Sequence, residues 1–208
     1  DRAAALRERD AEFQRRAVAE GKATPTLALE LLQEVGFERV AEKRKLGSTG
    51  ADVRLVMADA DGRRWLFDVS GAFTIVRGGG LRRADALWKA IGKAHVVAST
   101  RAALPPDLRD APFVLLTSHL PAPGSDGDAA LRSTTPAVVF DAVELLDPVG
   151  VERLALYAKG GHHDRPAPGF WPASDAASAP GAQAAAPSAP GVQAPAAPAG
   201  GGAVRPAG

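Results

Sequence analysis

The sequence predicts an α/β fold with a mixed central sheet flanked by helices. The apolar periodicity predicts the order helix, three strands, helix, strand, strand, and glycine, proline and Asp-Gly signals separate these segments. A chain of 208 residues with 46% apolar content is long enough for one compact domain with flanking segments. We therefore expect one folded α/β domain, over residues 23–165.

Both ends of the chain differ in composition from this domain. Residues 1–22 predict a charged, Ala-rich helix, whereas residues 166–208 consist largely of Ala, Pro, Gly, Ser and Gln. A segment with so few aliphatic side chains cannot bury a core, which predicts a disordered tail. The first residue is Asp and not Met, which leaves room for fusion to an upstream domain.

The first half of the domain predicts one helix and three strands. Thr24 and Pro25 suit the N-cap and the first position of a helix, and Gly36 is expected to end it. Asp61-Gly62 supplies hairpin turn chemistry between the last two strands. The three strands are predicted at residues 37–46, 51–57 and 63–70.

The second half of the domain predicts a helix followed by strands. Residues 81–94 predict an amphipathic helix, with a helical repeat of apolar side chains at Leu81, Ala84, Trp88 and Ile91. The apolar segments HVVAS and FVLLTS predict buried strands. The segment TPAVVFDAVELLD fits either a strand or a helix, and residues 149–159 predict a closing helix.

Composition excludes several functional classes. The absence of cysteine excludes disulfides, thiolate zinc sites and thiol redox chemistry. No apolar run approaches the roughly 20 residues that span a bilayer, and the chain starts without the apolar core of a signal peptide. RGGG matches neither the P-loop nor the dinucleotide pattern, and His162 and His163 lack a companion ligand at metal-site spacing. We expect a soluble, cytoplasmic protein without membrane partners.

Positive charge is concentrated in the middle of the chain. Residues 43–93 carry eleven basic and five acidic side chains, a difference of +6. Such a concentration attracts polyanions, because nucleic-acid affinity comes largely from pairing Lys and Arg with phosphates. A well-solvated surface accounts equally well for the charge pattern alone.

The element order, with GADV at residues 50–53 and FDVS at residues 67–70, resembles the PD-(D/E)XK nuclease superfamily, the restriction-endonuclease-like proteins. The resemblance covers residues 24–118 and implies an αβββαβ core. It also implies that Asp52 and Asp68 bind Mg²⁺, or Mn²⁺ as a substitute. Ser70 stands at the position of the family's motif Lys, and the resemblance allows a helix lysine to replace it, with Lys89 as the first candidate.

The resemblance implies a metal-dependent DNA endonuclease that hydrolyses phosphodiester bonds in restriction or repair. Asp52, Asp68, Ser70 and Lys89 are its predicted catalytic residues. Arg82, Arg83 and Lys93 are predicted to bind nucleic acid, because the basic side chains of the 81–94 helix lie opposite its apolar stripe. The alternative function is a catalytically degenerate nuclease fold that binds DNA or a protein, and a third is an unrelated α/β domain. The resemblance also allows a homodimer.

Strand geometry supplies a test, because Asp52 and Asp68 must point to the same side of the sheet to share a metal. A strict two-residue turn at Asp61-Gly62 pairs position 55 with 68 and sends Asp52 to the other side. An odd-length loop, such as residues 59–63, or a bulge brings the two acids together. The metal-site hypothesis therefore predicts the longer or bulged turn.

Purely structural roles compete for the same residues. Asp68 could pair with Arg54 or Arg82 or cap the loop at Gly71, and Asp52 could cap the turn after GSTG. Asp85 and Lys89 have the i, i+4 spacing of an exposed helix pair. Further candidates are Lys43 and Lys45 as substitutes for the motif Lys and Glu30 or Glu34 as a third carboxylate, each weighed against a solvated surface position.

Overall fold

The computed structural model describes residues 24–71 and 79–172. Both the predicted helix at residues 1–22 and the chain beyond residue 172 lie outside these ranges. Within them, the elements are five strands, four α-helices and three short 3-10 helices. No helix of this part of the chain combines the length and the apolar character needed to cross a membrane.

The strands form one mixed sheet, in which each strand lies beside its neighbours in sequence. The first strand pairs antiparallel with the second, and the second with the third. The third and fourth strands pair in parallel, as do the fourth and fifth. A five-stranded mixed sheet flanked by helices confirms the predicted α/β class. The strands are β1 (Glu38–Lys45), β2 (Asp52–Ala58), β3 (Arg64–Ser70), β4 (Phe113–Thr117) and β5 (Asp141–Glu144).

Helices cover both faces of the sheet. The helices are α1 (Thr24–Glu34), α2 (Ala84–Ser99), α3 (Asp126–Arg132) and α4 (Pro148–Ala158). Buried side chains of α1 and α4 share one apolar cluster with Leu55 and Phe67 of the sheet. Those of α2 share a second cluster with Val56, Leu66 and Leu115. Because alternate residues of a strand face opposite sides, the even-numbered residues of β3 lie on the α2 side.

The helix predicted to begin at Thr24 and the three strands predicted after it are confirmed to within a residue or two. The first helix begins at Thr24, and Gly36 follows its end with a φ of +110°, a conformation that glycine adopts without strain. Its buried residues are Thr24, Leu27, Ala28, Leu31 and Leu32. The chain then enters β1 at Glu38.

Two predictions for the 81–99 region are wrong. HVVAS is not a strand but the last part of α2, whose buried stripe continues through Ala94 and Val97. The helix ends where the hydroxyls of Ser99 and Thr100 both donate to the carbonyl of Val96. Trp88 lies outside the buried stripe, and it is 61% exposed.

The C-terminal part of the fold extends past the predicted boundary at residue 165. Phe170 and Trp171 are buried in the α2-side cluster, and the Trp171 indole donates to the carbonyl of Phe140 at 2.9 Å. The ambiguous segment at residues 135–147 contains β5, and the predicted closing helix is α4. The helix α3 has no counterpart among the predicted elements, and Ser125 caps it by accepting from the Asp128 amide.

Candidate functional site

The turn between β2 and β3 is the five-residue loop of residues 59–63, since the strand pairing ends at Ala58 and Arg64. The buried Asp59 carboxylate holds this loop, because it accepts from the amides of Asp61 and Arg63 and from the indole of Trp65. The strict two-residue turn does not form, and the odd-length loop that the metal-site hypothesis required is confirmed. Leu55 consequently pairs with Phe67.

Asp52 and Asp68 lie close together on the α2 side of the sheet. The Lys93 ammonium of α2 donates to Asp68 Oδ1 at 2.7 Å and lies 4.0 Å from Asp52 Oδ1. The shared ammonium places both carboxylates next to α2 at the same end of the sheet. The two acids differ in exposure, because 8% of the Asp68 side chain is exposed against 66% for Asp52.

The Asp68 carboxyl is only partly compensated for its burial. Desolvation raises its pKa above the ordinary value, and the charge and hydrogen bond of Lys93 lower it by less. The negative charge of Asp52 raises this pKa further, whereas the positive charge of Lys89 lowers it. The net effect is a raised pKa, so the ionised carboxylate would gain from an additional cation.

The spacing of charges along α2 decides which lysine contacts Asp68. Lys93 is partly buried, with 16% of its side chain exposed, whereas Lys89 is exposed one turn earlier. Within the part of the chain that the structure describes, Lys89 forms no ion pair, and its charge acts on Asp68 over a longer range. The expected Asp85–Lys89 helix pair does not form, because Asp85 binds the Arg83 guanidinium through two contacts of 3.0 and 3.1 Å.

Ser70 ends β3 on the same side as Asp68, because the two residues are two positions apart in the strand. It pairs with Thr117 of β4, and its carbonyl accepts from the Ser118 amide at 3.4 Å. The side chain is partly buried. A hydroxyl at this position can donate a hydrogen bond but supplies no positive charge.

The three residues predicted to bind nucleic acid all make contacts within the domain. Arg82 donates from Nε to the carbonyl of Leu120 at 3.1 Å. Arg83 is engaged by Asp85, and Lys93 by Asp68. The structure therefore brings Lys93 to the acid pair, a position that helical spacing alone did not distinguish from that of Lys89.

The structural alternatives for the two acids are not formed. Asp68 pairs with Lys93 and not with Arg54 or Arg82. The turn after GSTG is closed by Thr49, whose hydroxyl donates to the Leu46 carbonyl and accepts from the Ala51 amide. Asp52 is thus not needed as a turn cap.

The remaining candidate ligands lie elsewhere. Glu30 and Glu34 are exposed on α1, whose buried side chains pack against the opposite face of the sheet. His162 packs edge-on against Tyr157, while His163 packs against Trp65 and contacts the Arg64 carbonyl at 3.0 Å. Across residues 24–71 and 79–172, no group of three or more His, Cys, Asp or Glu side chains is placed to hold a metal.

The site thus consists of a buried and an exposed carboxylate that share a lysine from the neighbouring helix, with a serine hydroxyl two residues beyond the buried acid. A search for similar proteins among protein-family models, curated proteins and solved structures finds no match in any of the three.

Proposed function

We propose that this chain is a cytoplasmic, metal-dependent DNA endonuclease-like domain that hydrolyses phosphodiester bonds in restriction or repair. The observation that carries the proposal is the convergence of Asp52, Asp68 and Lys93 at the exit of β3. Two acids and one cationic group are the set that the PD-(D/E)XK resemblance requires. In this chain the cationic group comes from α2, and Ser70 occupies the motif position in β3.

The element order supports the same proposal. The described chain runs α1, β1, β2, β3, α2, β4, which is the αβββαβ order of the proposed restriction-endonuclease-like core. Asp52 begins β2 and Asp68 lies near the end of β3, so the two antiparallel strands bring the acids to one end of the sheet. The active-site assignment and the fold assignment therefore rest on the same pair of strands.

The donor set of the acid pair fits a hard divalent cation. Asp52 and Asp68 supply carboxylate oxygens, the ligands that Mg²⁺ prefers. The raised pKa of Asp68 indicates a carboxylate with uncompensated desolvation. A Mg²⁺ or Mn²⁺ held by these two residues would polarise a phosphate oxygen as a Lewis acid.

Lys93 and Ser70 have distinct roles in this proposal. The Lys93 ammonium carries three N–H donors, one of which the Asp68 contact uses. The others can contact a phosphate oxygen and offset the negative charge that develops during attack on phosphorus. Ser70 can accept or donate one hydrogen bond and so orient the attacking water. Lys89 contributes positive charge at longer range.

The test is cleavage of plasmid and single-stranded DNA with Mg²⁺ or Mn²⁺. We expect Asp68→Asn to abolish cutting and Lys93→Met to lower it by about 10²- to 10³-fold, the usual cost of one electrostatic stabiliser. Lys89→Met is the matched control, because it removes the same charge one helical turn away, and it should cost less than about tenfold. Equal losses in the two lysine variants would contradict the role of Lys93.

The degenerate fold that binds DNA or a protein without cutting is the second candidate function. One observation favours it: the Lys93 ammonium already compensates Asp68 in part without any metal. In this alternative the Asp52, Asp68 and Lys93 cluster is a stabilising ion pair and Ser70 marks the loss of catalysis. Wild-type protein that binds DNA and does not cut it with either metal would establish this alternative.

A further inference from the structure

The last three residues of β1 form a basic strip, defined here as Lys43, Arg44 and Lys45. All three are exposed on a strand that, among the five described strands, lies at the edge of the sheet and pairs with β2. Lys43 has a φ of +49°, which is uncommon for a residue with a side chain. The pairing of Glu42, Arg44 and Lys45 with β2 keeps one register, so the basic strip remains part of the strand.

The basic strip differs from the other cations of the described residues in its ion pairing. In the described part of the chain, none of its three side chains forms an ion pair, whereas Arg39 in the same strand binds Glu42 at 2.9 Å. Arg83, Lys93, Arg132 and Arg153 are likewise engaged by carboxylates. The strip therefore contains three successive cations whose charge faces solvent.

Strand pairing places the basic strip directly beside the acid pair. Lys45 is the register partner of Asp52, and Arg44 is the partner of Val53. Partners in an antiparallel pair lie about 5 Å apart, so the strip begins at the edge of the site and leads away along β1.

We propose that the basic strip binds the phosphate backbone of duplex DNA next to the acid pair. This proposal rests on the proposed function in one respect, the choice of DNA as the polyanion. Three exposed cations on an edge strand can contact phosphates of the DNA backbone. Arg82 and Arg83, by contrast, would have to break their contacts with Leu120 and Asp85 before they bound a phosphate.

The test is binding of a short labelled DNA duplex in EDTA, followed by fluorescence anisotropy over a range of salt concentrations. The variant is Lys43→Gln with Lys45→Gln. Each lost phosphate contact reduces the salt slope by about 0.9 and lowers affinity about eightfold at about 0.1 M salt, so we expect a loss of about 60-fold. Circular dichroism and a thermal melt check that the variant folds.

Arg63→Gln with Lys159→Gln is the matched control, because it removes the same charge from exposed positions. These residues lie at the opposite end of β3, beside the 59–63 loop, where the Ala60 amide bonds to the Ala158 carbonyl. The control should bind within about twofold of wild type at the same salt.

Equal losses in the two double variants, or no DNA binding by wild type, would overturn the proposal. Because the assay contains no divalent metal, its result is independent of cutting. A protein that never cuts DNA but loses binding only in the strip variant would retain the basic strip and refute the nuclease. A protein that cuts DNA, and whose strip variant binds DNA as tightly as wild type, would retain the nuclease and refute the basic strip.

Discussion

Asp68 and Asp141 are both buried carboxylates paired with a basic residue, but their surroundings differ. Asp141, at the start of β5, is fully buried and accepts from Arg153, Tyr157 and the Ala142 amide. Tyr157 in turn accepts from the Ala167 amide, which ties the C-terminal segment to α4. Among residues 24–71 and 79–172, Asp68 accepts one hydrogen bond, from Lys93, and an exposed acid lies beside it.

The difference separates a structural carboxylate from a functional candidate. A buried charge is tolerated when hydrogen bonds satisfy its lone pairs, as at Asp141. Burial raises the pKa of both carboxyls, so the two acids differ in their hydrogen-bond partners and in their access: Asp68 accepts from Lys93 and lies beside the exposed Asp52, whereas Asp141 is enclosed. Buried groups with perturbed ionisation and open access are common at functional sites, because ligand binding supplies the missing compensation.

Substitution of the two acids should give the largest contrast in stability. Asp141→Ala leaves the Arg153 guanidinium buried without its partner, and we expect a loss of about 3–5 kcal/mol in the free energy of unfolding. Asp68→Ala should change it by about 1 kcal/mol or less, since the carboxylate is poorly compensated and Lys93 can turn to solvent. Urea denaturation measures both values. Equal losses would mean that Asp68 is as structural as Asp141.

Metal binding should stabilise the wild-type protein by the next largest amount. With Mg²⁺ at about a hundred times its dissociation constant, binding to the folded state alone adds about 2.7 kcal/mol. The thermal melt should therefore shift upward with Mg²⁺ in wild type and stay unchanged in Asp68→Asn. A shift of the same size in the variant would place the metal elsewhere, and Asp141→Asn is the control that should retain the shift.

The raised pKa of Asp68 predicts opposite pH trends for the free protein and for metal binding. A carboxyl with a raised folded-state pKa contributes stability that is fully present below the unfolded pKa, here 3.8. That contribution is lost as pH rises through the folded pKa, whereas metal-induced stabilisation appears over the same range because only the ionised form binds the cation.

The pH prediction is measured as the difference between wild type and Asp68→Asn in urea denaturation at several pH values. Each unit of pKa shift corresponds to about 1.4 kcal/mol of this difference. The difference should change sharply as pH rises above 3.8, and the stabilisation that Mg²⁺ adds to wild type should change in the opposite direction over the same range. A flat profile would mean that Asp68 titrates normally.

Local sequence patterns predicted strands β2 and β3 well and the helix α2 poorly, whereas the five-residue loop was required by the metal-site hypothesis and not by the Asp61-Gly62 turn signal. Asp59 and the alternation of β2 and β3 are local features, and they determine the loop and the side of the sheet that Asp68 faces. In α2, two apolar stripes satisfy the same helical period. The buried one contains Leu87 and Ala94, and it leaves Trp88 in solvent.

The choice between Lys89 and Lys93 depended on that rotation of α2. The observed helix continues through HVVAS to Ser99 and places Lys93 near its centre. β-branched residues lower helix propensity, but the buried positions of Ala94 and Val97 outweigh that preference. Packing between the helix and the sheet, which no local pattern contains, determined the outcome.

The smallest predicted effect concerns Ser70. Because Lys93 supplies the positive charge, Ser70→Ala removes one neutral hydrogen bond and should lower cleavage by about tenfold or less, which corresponds to about 1 kcal/mol. Initial cleavage rates measure the effect. Ser70→Lys restores the motif residue on the same side as Asp68, so it should rescue cutting in the Lys93→Met background. Rescue would show that a cation from β3 and a cation from α2 act at one position, whereas a double variant as slow as Lys93→Met would show that the β3 position no longer reaches the acid pair.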